Sequence, residues 1–174
     1  MAVFLAAPGG RDRGELEQTT LNAGAALASG LIAGAVTLLL LLGLLTAQPR
    51  RFPLNPLYLT GSLFTIETTQ SYAAGLVATL AVSSGYGVVI AAVFVGFGAD
   101  GLLPLWGALA GSVLSLVTGS SLAYMRTVSP VVRRGLIGDP GPFLLRYGRW
   151  SATELLASHA LFGLVAGAVY SVLS

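Results

Sequence analysis

The composition of this chain fits an apolar environment. It has 174 residues, of which 55% are apolar and only 9% are charged, and its mean hydropathy is +0.82. Soluble domains average roughly 25% charged residues, so water is not the main solvent of this protein. The sequence contains no cysteine, which excludes disulfides, thiolate metal sites and iron–sulfur clusters. A net charge of +2 with no basic–aromatic patch also argues against a nucleic-acid partner.

The first twenty residues form a separate region. Residues 1–10 are apolar but short, and no basic residue precedes them, so they fit neither a signal peptide nor a membrane span. Charged residues follow at positions 11–17. We therefore predict that residues 1–20 are a polar leader ahead of a single membrane domain over residues 21–174.

Four long apolar stretches follow, at about 23–45, 71–97, 102–125 and 152–173. Each is long enough to cross a hydrocarbon core, which takes about 20 helical residues. The glycine-rich segment 96–101, which includes Asp100 as a turn residue, is short, so we expect the second and third spans to form an antiparallel hairpin. The sequence thus predicts an all-α polytopic membrane protein, a bundle of four transmembrane helices.

Two long connections separate these spans. Residues 46–70 contain Asn55 followed by Pro56, a favourable helix start, and then about ten mostly apolar residues. That helix is too short to span, so we predict an interfacial or a re-entrant segment. Residues 126–150 turn at a Gly- and Pro-rich centre and then mix aromatics with arginines, as interfacial segments do.

The distribution of arginine predicts the orientation. All nine basic residues are arginine, and only Arg11 and Arg13 lie outside the two long connections. The positive-inside rule then places both termini outside and both connections in the cytoplasm. The Ala-, Gly- and Leu-rich composition is typical of a GC-rich prokaryotic genome, so we expect the cell (inner) membrane. The arginines of the connections are Arg50, Arg51, Arg126, Arg133, Arg134, Arg146 and Arg149.

A five-residue phrase, G-x-[ILV]-A-[G/T], occurs once in each span. Small residues four apart share one helix face and let a second backbone approach closely, which is how helices associate in lipid. We interpret the phrases as packing ridges within the bundle; lining of a pore or contact with a partner chain remain alternatives. The residues concerned are Gly30, Gly34, Gly75, Thr79, Gly107, Gly111, Gly163 and Gly167.

Three ionisable residues are candidates for a proton or ligand site. His159 precedes Gly163 by four residues, so it belongs to the ridge of the fourth span, where an ionisable side chain is costly. It either relays protons or binds a ligand, or it is a neutral imidazole bonded between helices. Glu154 lies five residues earlier, and this offset turns it away from His159. Glu67 either caps the second span or, if the preceding segment dips inward, approaches the fourth.

Arginines in the second connection are candidates for lipid binding. Each contributes about 1 kcal/mol of attraction to anionic headgroups when it lies near the membrane surface. The alternative is that they only enforce the topology. The residues are Arg133, Arg134, Arg146 and Arg149.

The sequence contains no nucleophile–base arrangement, phosphate loop or metal-ligand spacing, so we predict no catalytic site, metal or cofactor. The function expected first is a helix-packing accessory or structural component of a membrane assembly, including a homo-oligomer. One alternative is a small proton-coupled transporter or channel that uses His159. The other is a lipid- or cofactor-binding membrane subunit.

Residues 129–143, followed by His159, Gly163, Gly167 and Tyr170, carry a resemblance. The pattern resembles prokaryotic four-helix integral membrane proteins that are grouped as families of unknown function, and it covers the last third of the chain. The resemblance implies a four-helix fold and implies that these four residues belong together. It implies no reaction.

Overall fold

The computed structural model describes residues 21–47, 55–99 and 101–174, and these residues form helices and turns without a strand. The predicted leader, Arg50, Arg51 and Asp100 lie outside the described residues. Four helical stretches are long and apolar enough to cross a membrane: Ala23–Ala47, Thr68–Phe97, Leu103–Val128 and Arg149–Leu173. The predicted all-α four-helix fold is therefore confirmed. The elements are α1 (Ala23–Ala47), α2 (Pro56–Gly61), α3 (Thr68–Phe97), α4 (Leu103–Ser121), α5 (Met125–Val128), α6 (Pro130–Arg133) and α7 (Arg149–Leu173), with 3₁₀ turns at Leu122–Tyr124 and Pro142–Tyr147.

The outer surface of the four long helices is apolar. Leu39 on α1 is 70% exposed, Val77 on α3 is 69% exposed, and Leu109 on α4 is 62% exposed. Soluble proteins rarely expose continuous apolar surface of this kind. In lipid such a surface costs nothing, because the surrounding hydrocarbon is as apolar as the side chains. The backbone polar groups of each helix are hydrogen-bonded within the helix, so they need no water either. The chain is a multi-pass membrane protein.

Local capping explains where two of the helices begin. The Asn55 side chain accepts hydrogen bonds from the backbone N–H groups of Leu57 at 2.9 Å and Tyr58 at 3.4 Å, so α2 starts where the sequence predicted. Glu67 caps α3 through Thr69 N–H at 3.1 Å and Gln70 N–H at 2.7 Å. This cap begins the helix at Thr68, three residues before the predicted start at 71.

The helices pair in an order that differs from their order in the chain. The most extensive interface joins α4 to α7, and α1 packs against both α3 and α7. The consecutive helices α3 and α4 touch much less than their short connection predicts. Near that connection the Phe97 and Trp106 rings stack with centroids 6.2 Å apart. The two helices of the predicted hairpin each pack mainly against another neighbour.

One end of the bundle, which carries residue 22 and the C-terminal end of α7, is closed by the main apolar core. There the rings of Phe94 and Tyr170 lie with centroids 5.8 Å apart. The backbone N–H of Asn22 donates to the Tyr170 hydroxyl at 3.4 Å. The core residues are Ala25, Ala26, Ala33, Ile90, Ala91, Phe94, Phe162, Ala166 and Tyr170.

The two long connections meet at the opposite end. The hydroxyl of Ser129 donates to the backbone carbonyl of Ser62 at 2.9 Å, and both serines are fully buried. In the second connection Arg146 forms an ion pair with Asp139. The Tyr147 hydroxyl donates to the Gly138 carbonyl, and its pKa is raised, first by burial and then by the charge of Asp139. These contacts join the two connections to each other and fold the second one on itself.

Candidate functional site

A cavity of about 390 Å³ lies between the helices at the end that carries both long connections. Four stretches line it: residues 34–45 of α1, 79–86 of α3, 118–122 at the end of α4 and the start of the next 3₁₀ turn, and 154–162 of α7. Residues of α2 and Leu144 also contribute to the lining. Ligand pockets in proteins begin at about 300 Å³ and are mostly apolar with a few placed polar groups. The cavity has this character. Its polar lining includes Thr37, Tyr86, Thr118, Glu154, Ser158 and His159.

A chain of hydrogen bonds crosses the cavity wall from α3 through α4 to α7. The hydroxyls of Tyr86 and Thr118 are 3.0 Å apart, and Thr118 Oγ1 is 3.2 Å from His159 Nε2. His159 Nδ1 is 2.9 Å from the Leu155 carbonyl oxygen. A carbonyl only accepts, so Nδ1 carries the hydrogen, and in the neutral ring Nε2 accepts from Thr118. Thr118 in turn accepts from Tyr86, and each of these groups is satisfied.

The hydrogen bond between His159 and Thr118 can also run in the opposite direction. If His159 gains a proton, Nε2 becomes a donor to Thr118, because both nitrogens of imidazolium donate. Thr118 then accepts from His159, so its own hydrogen is free for Tyr86 or for a molecule in the cavity. A proton on His159 therefore changes which hydrogen-bonding groups the cavity presents.

Thr37 of α1 is the one orphaned polar group among the side chains described. It is 9% exposed and lines the cavity, and its hydroxyl oxygen is buried with no hydrogen-bond partner. Buried hydroxyls nearly always have partners, and leaving one unpaired costs about 1–3 kcal/mol. The oxygen itself is too deeply buried for a molecule in the cavity to reach it.

Glu154 also lines the cavity, although its five-residue offset predicted that it turns away from His159. The two side chains form no hydrogen bond with each other, and His159 bonds to Thr118 and Leu155 instead. At a rise of about 1.5 Å per residue they are separated by roughly 7.5 Å along the helix axis. The cavity is wide enough to bring both to one space without pairing them.

Glu67 is not part of this site. Its carboxylate is exposed and accepts the two backbone N–H groups that begin α3, so it is a helix cap. Of the two alternatives that the sequence left open, the structure places Glu67 in the cap rather than near α7.

The predicted packing residues lie at several different contacts. Gly30 faces Gly87 between α1 and α3, and Gly107 and Gly111 face Gly163 between α4 and α7. Gly167 lies against Leu103 and Pro104 at the start of α4. Two of the residues, Gly34 and Thr79, also line the cavity.

Gly75 has a different neighbour. A Cβ at Gly75 would lie less than 3.0 Å from the Leu57 carbonyl group, so this glycine admits the short helix α2 and not another span. Gly61 makes the matching approach to Ser71 from the other side. The first half of α3 thus holds α2 beside the cavity, where Leu59 and Thr60 contribute to the lining.

The four predicted lipid-binding arginines lie in different surroundings. Arg133 and Arg134 are exposed at the end of α6, and Arg149 lies 5.6 Å from the centre of the Trp150 ring. Arg146 is paired with Asp139, which offsets its charge. The other three form no salt bridge with any side chain in the described part of the chain.

Sequence analysis did not single out Tyr86, Thr118 or Thr37. Thr118 and His159 are 41 residues apart, and no local pattern links them. Tyr86 had a detectable signal, since it is the one phenol within an otherwise apolar part of its span. Hydroxyls of threonine in apolar helices usually bond to their own helix, so Thr37 and Thr118 carried none.

A metal site has no support from the side chains described, in which no three His, Asp or Glu residues lie together. Comparisons of the chain with protein-family models, with curated proteins and with solved structures gave no match. The resemblance to prokaryotic four-helix membrane proteins stays a prediction. Fold and site define a class, a multi-pass helical membrane protein with a cavity beside a buried histidine.

Proposed function

We propose that this protein binds a small, largely apolar molecule in the cavity and holds its polar part at the Tyr86–Thr118–His159 chain. The observation that carries the proposal is the Tyr86–Thr118–His159 chain, which three helices bring to the wall of a mostly apolar cavity. The size of the cavity and its mixture of apolar wall and few polar groups support the same function.

Filling the cavity tests this proposal. Ser158 lines the cavity and donates to Leu155 O at 2.9 Å within its own helix, so Ser158→Phe adds a ring to the space and removes only a local bond. The protein extracted from its own membrane should carry a small molecule, found by mass spectrometry after gentle purification. We expect Ser158→Phe to lose at least nine-tenths of it.

Ser171→Phe is the matched control. Ser171 lies on the same helix, is exposed, and donates to Ala168 O at 2.7 Å in the same way, but it does not line the cavity. This variant should retain the molecule. Equal amounts in both variants, or none in the unmodified protein, would contradict binding in the cavity.

Proton-coupled transport is a second candidate. It is supported by the reversal of the His159–Thr118 hydrogen bond on protonation of His159 and by the packing of Phe94 against Tyr170 at the opposite end. A carrier would have to open that end to release its substrate. The predicted packing glycines lie between helices of this same chain, so they add no support for an accessory role in a larger assembly.

For orientation we infer that the cavity end faces the cytoplasm of a prokaryotic cell and that both termini lie outside. The support is the concentration of arginine in the two long connections. Arg133, Arg134 and Arg149 are then placed to attract anionic lipid headgroups of the inner leaflet.

A further inference from the structure

We propose that the molecule bound in the cavity is a lipophilic cation, an apolar amine or a quaternary onium ion, with Glu154 as its counter-charge. This inference rests on the proposed binding function and adds the chemical class of the ligand. It depends on three observations: the charge of the lining, its aromatic rings, and the position of Glu154 relative to the apolar part of the cavity.

The charge of the lining is one-sided. Among the described residues that line the cavity, Glu154 is the one carboxylate and none is an arginine. In the described part of the chain the only salt bridge joins Arg146 to Asp139, so Glu154 has no salt bridge with a described arginine. Glu154 is only partly buried. Its carboxylate attracts a cation and repels an anion across the low-dielectric wall of the cavity.

Two aromatic rings line the same space. Tyr86 and Phe162 lie edge to face, with centroids 6.4 Å apart and an interplanar angle of 69°. A cation over such a ring is attracted to its π face, and more strongly when water is excluded. The rings therefore attract the same sign of charge as Glu154 does.

The lining also separates charge from apolar surface. Glu154 lies near the start of α7, close to the connection that supplies Leu144. Phe162 lines the cavity about two turns further along the same helix, and Leu38 lines it from α1, nine residues before the end of that helix. A ligand with a cationic head beside Glu154 and an apolar body along these side chains would match the lining.

Two ions of the same shape and opposite charge test the sign. Tetraphenylphosphonium and tetraphenylborate are both spherical and apolar, and binding of each to the full chain in detergent is measured by equilibrium dialysis, with protein-free micelles subtracted. We expect the cation to bind at least tenfold more tightly than the anion. Glu154→Gln should weaken the cation at least tenfold, and Glu154→Asp, which keeps the charge, should restore most of the affinity.

Glu67→Gln is the control, because it makes the same chemical change at an exposed helix cap outside the cavity. It should leave cation binding unchanged. Equal affinity for both ions, preference for the anion, or full cation binding by Glu154→Gln overturns the inference. If the Ser158→Phe protein still lacks the small molecule that the unmodified protein carries in those cases, the binding function survives and only the proposed charge of the ligand is wrong.

Discussion

At the scale of single residues, the arrangement around Thr118 explains how an ionisable group is tolerated inside a membrane bundle. The Thr118 hydroxyl is both donor and acceptor, and it stands between a phenol and an imidazole from two other helices. His159 needs such a partner, because its second nitrogen is already used by the Leu155 carbonyl in its own helix. The neutral ring is therefore satisfied without water.

Thr118→Val is the change that tests this chain, since valine has nearly the same shape and cannot form hydrogen bonds. It leaves the Tyr86 hydroxyl and Nε2 of His159 without their partner, while Nδ1 of His159 keeps its bond to Leu155. We expect a loss of about 1–3 kcal/mol of stability, the usual penalty for stranding buried polar groups. Unfolding of the purified protein in mixed micelles with increasing SDS measures it.

Thr46→Val provides the comparison. Thr46 is exposed, and its hydroxyl donates to Gly43 O of its own helix at 2.8 Å. This variant should unfold with the unmodified protein to within a few tenths of a kcal/mol. Similar stability of the two variants would mean that the chain of hydrogen bonds contributes nothing to the fold.

At the scale of helices, backbone contact replaces side-chain packing at the two main interfaces. A Cβ at Gly30 would lie less than 3.0 Å from the carbonyl oxygen of Ser83 and from the backbone of Gly87. Gly163 makes the corresponding approach to Gly107 and Gly111. Such contact brings whole backbones into van der Waals range, which is the main attraction available between helices in lipid.

Substitution of single glycines by alanine separates packing from helix propensity. Gly30→Ala should destabilise the bundle by about 1–3 kcal/mol, because the backbone of α3 must move away from the added methyl group. Gly43, on the same helix, has open space where a Cβ would be built. Gly43→Ala should be neutral or stabilising by up to about 1 kcal/mol. The SDS unfolding midpoints of the two variants give the comparison.

The difference in stability between Gly30→Ala and Gly43→Ala is essential to this prediction. A general effect of replacing glycine in α1 would shift both midpoints the same way. That result would show that the close approach of α1 to α3 is not what the glycine provides.

At the scale of the whole molecule, the cavity and both long connections share one end of the bundle. The other end is closed by apolar side chains and by the Phe94–Tyr170 contact. The cavity therefore addresses one side of the membrane, and the orientation decides which compartment it serves. The arginine distribution predicts the cytoplasm.

Cysteine labelling measures this orientation directly, since the chain has no native cysteine to remove. Leu136→Cys marks the second connection and Ser174→Cys marks the C-terminal end, and both positions are exposed. A membrane-impermeant maleimide applied to intact cells should label Ser174→Cys and spare Leu136→Cys. After permeabilisation both should react. The reverse pattern in intact cells would place the cavity end outside.

The sequence by itself determined the class of fold and the existence of its spans. Apolar stretches of sufficient length, with breakers between them, specify membrane helices because lipid leaves the backbone no alternative. Local chemistry also set the start of α2, where Asn55 and Pro56 act within four residues of each other. The small-residue spacing indicated close contact, but each ridge had several possible partners.

Only the tertiary structure decided those partners and the site. Gly75 admits α2, Gly107 meets Gly163, and α3 packs on α1 more than on α4, its neighbour in the chain. The same arrangement brings Tyr86, Thr118, Glu154 and His159 to one cavity. Helix pairing in lipid depends on the summed fit of whole faces, and a cavity is the space which that fit leaves. No local pattern in the sequence contains either quantity.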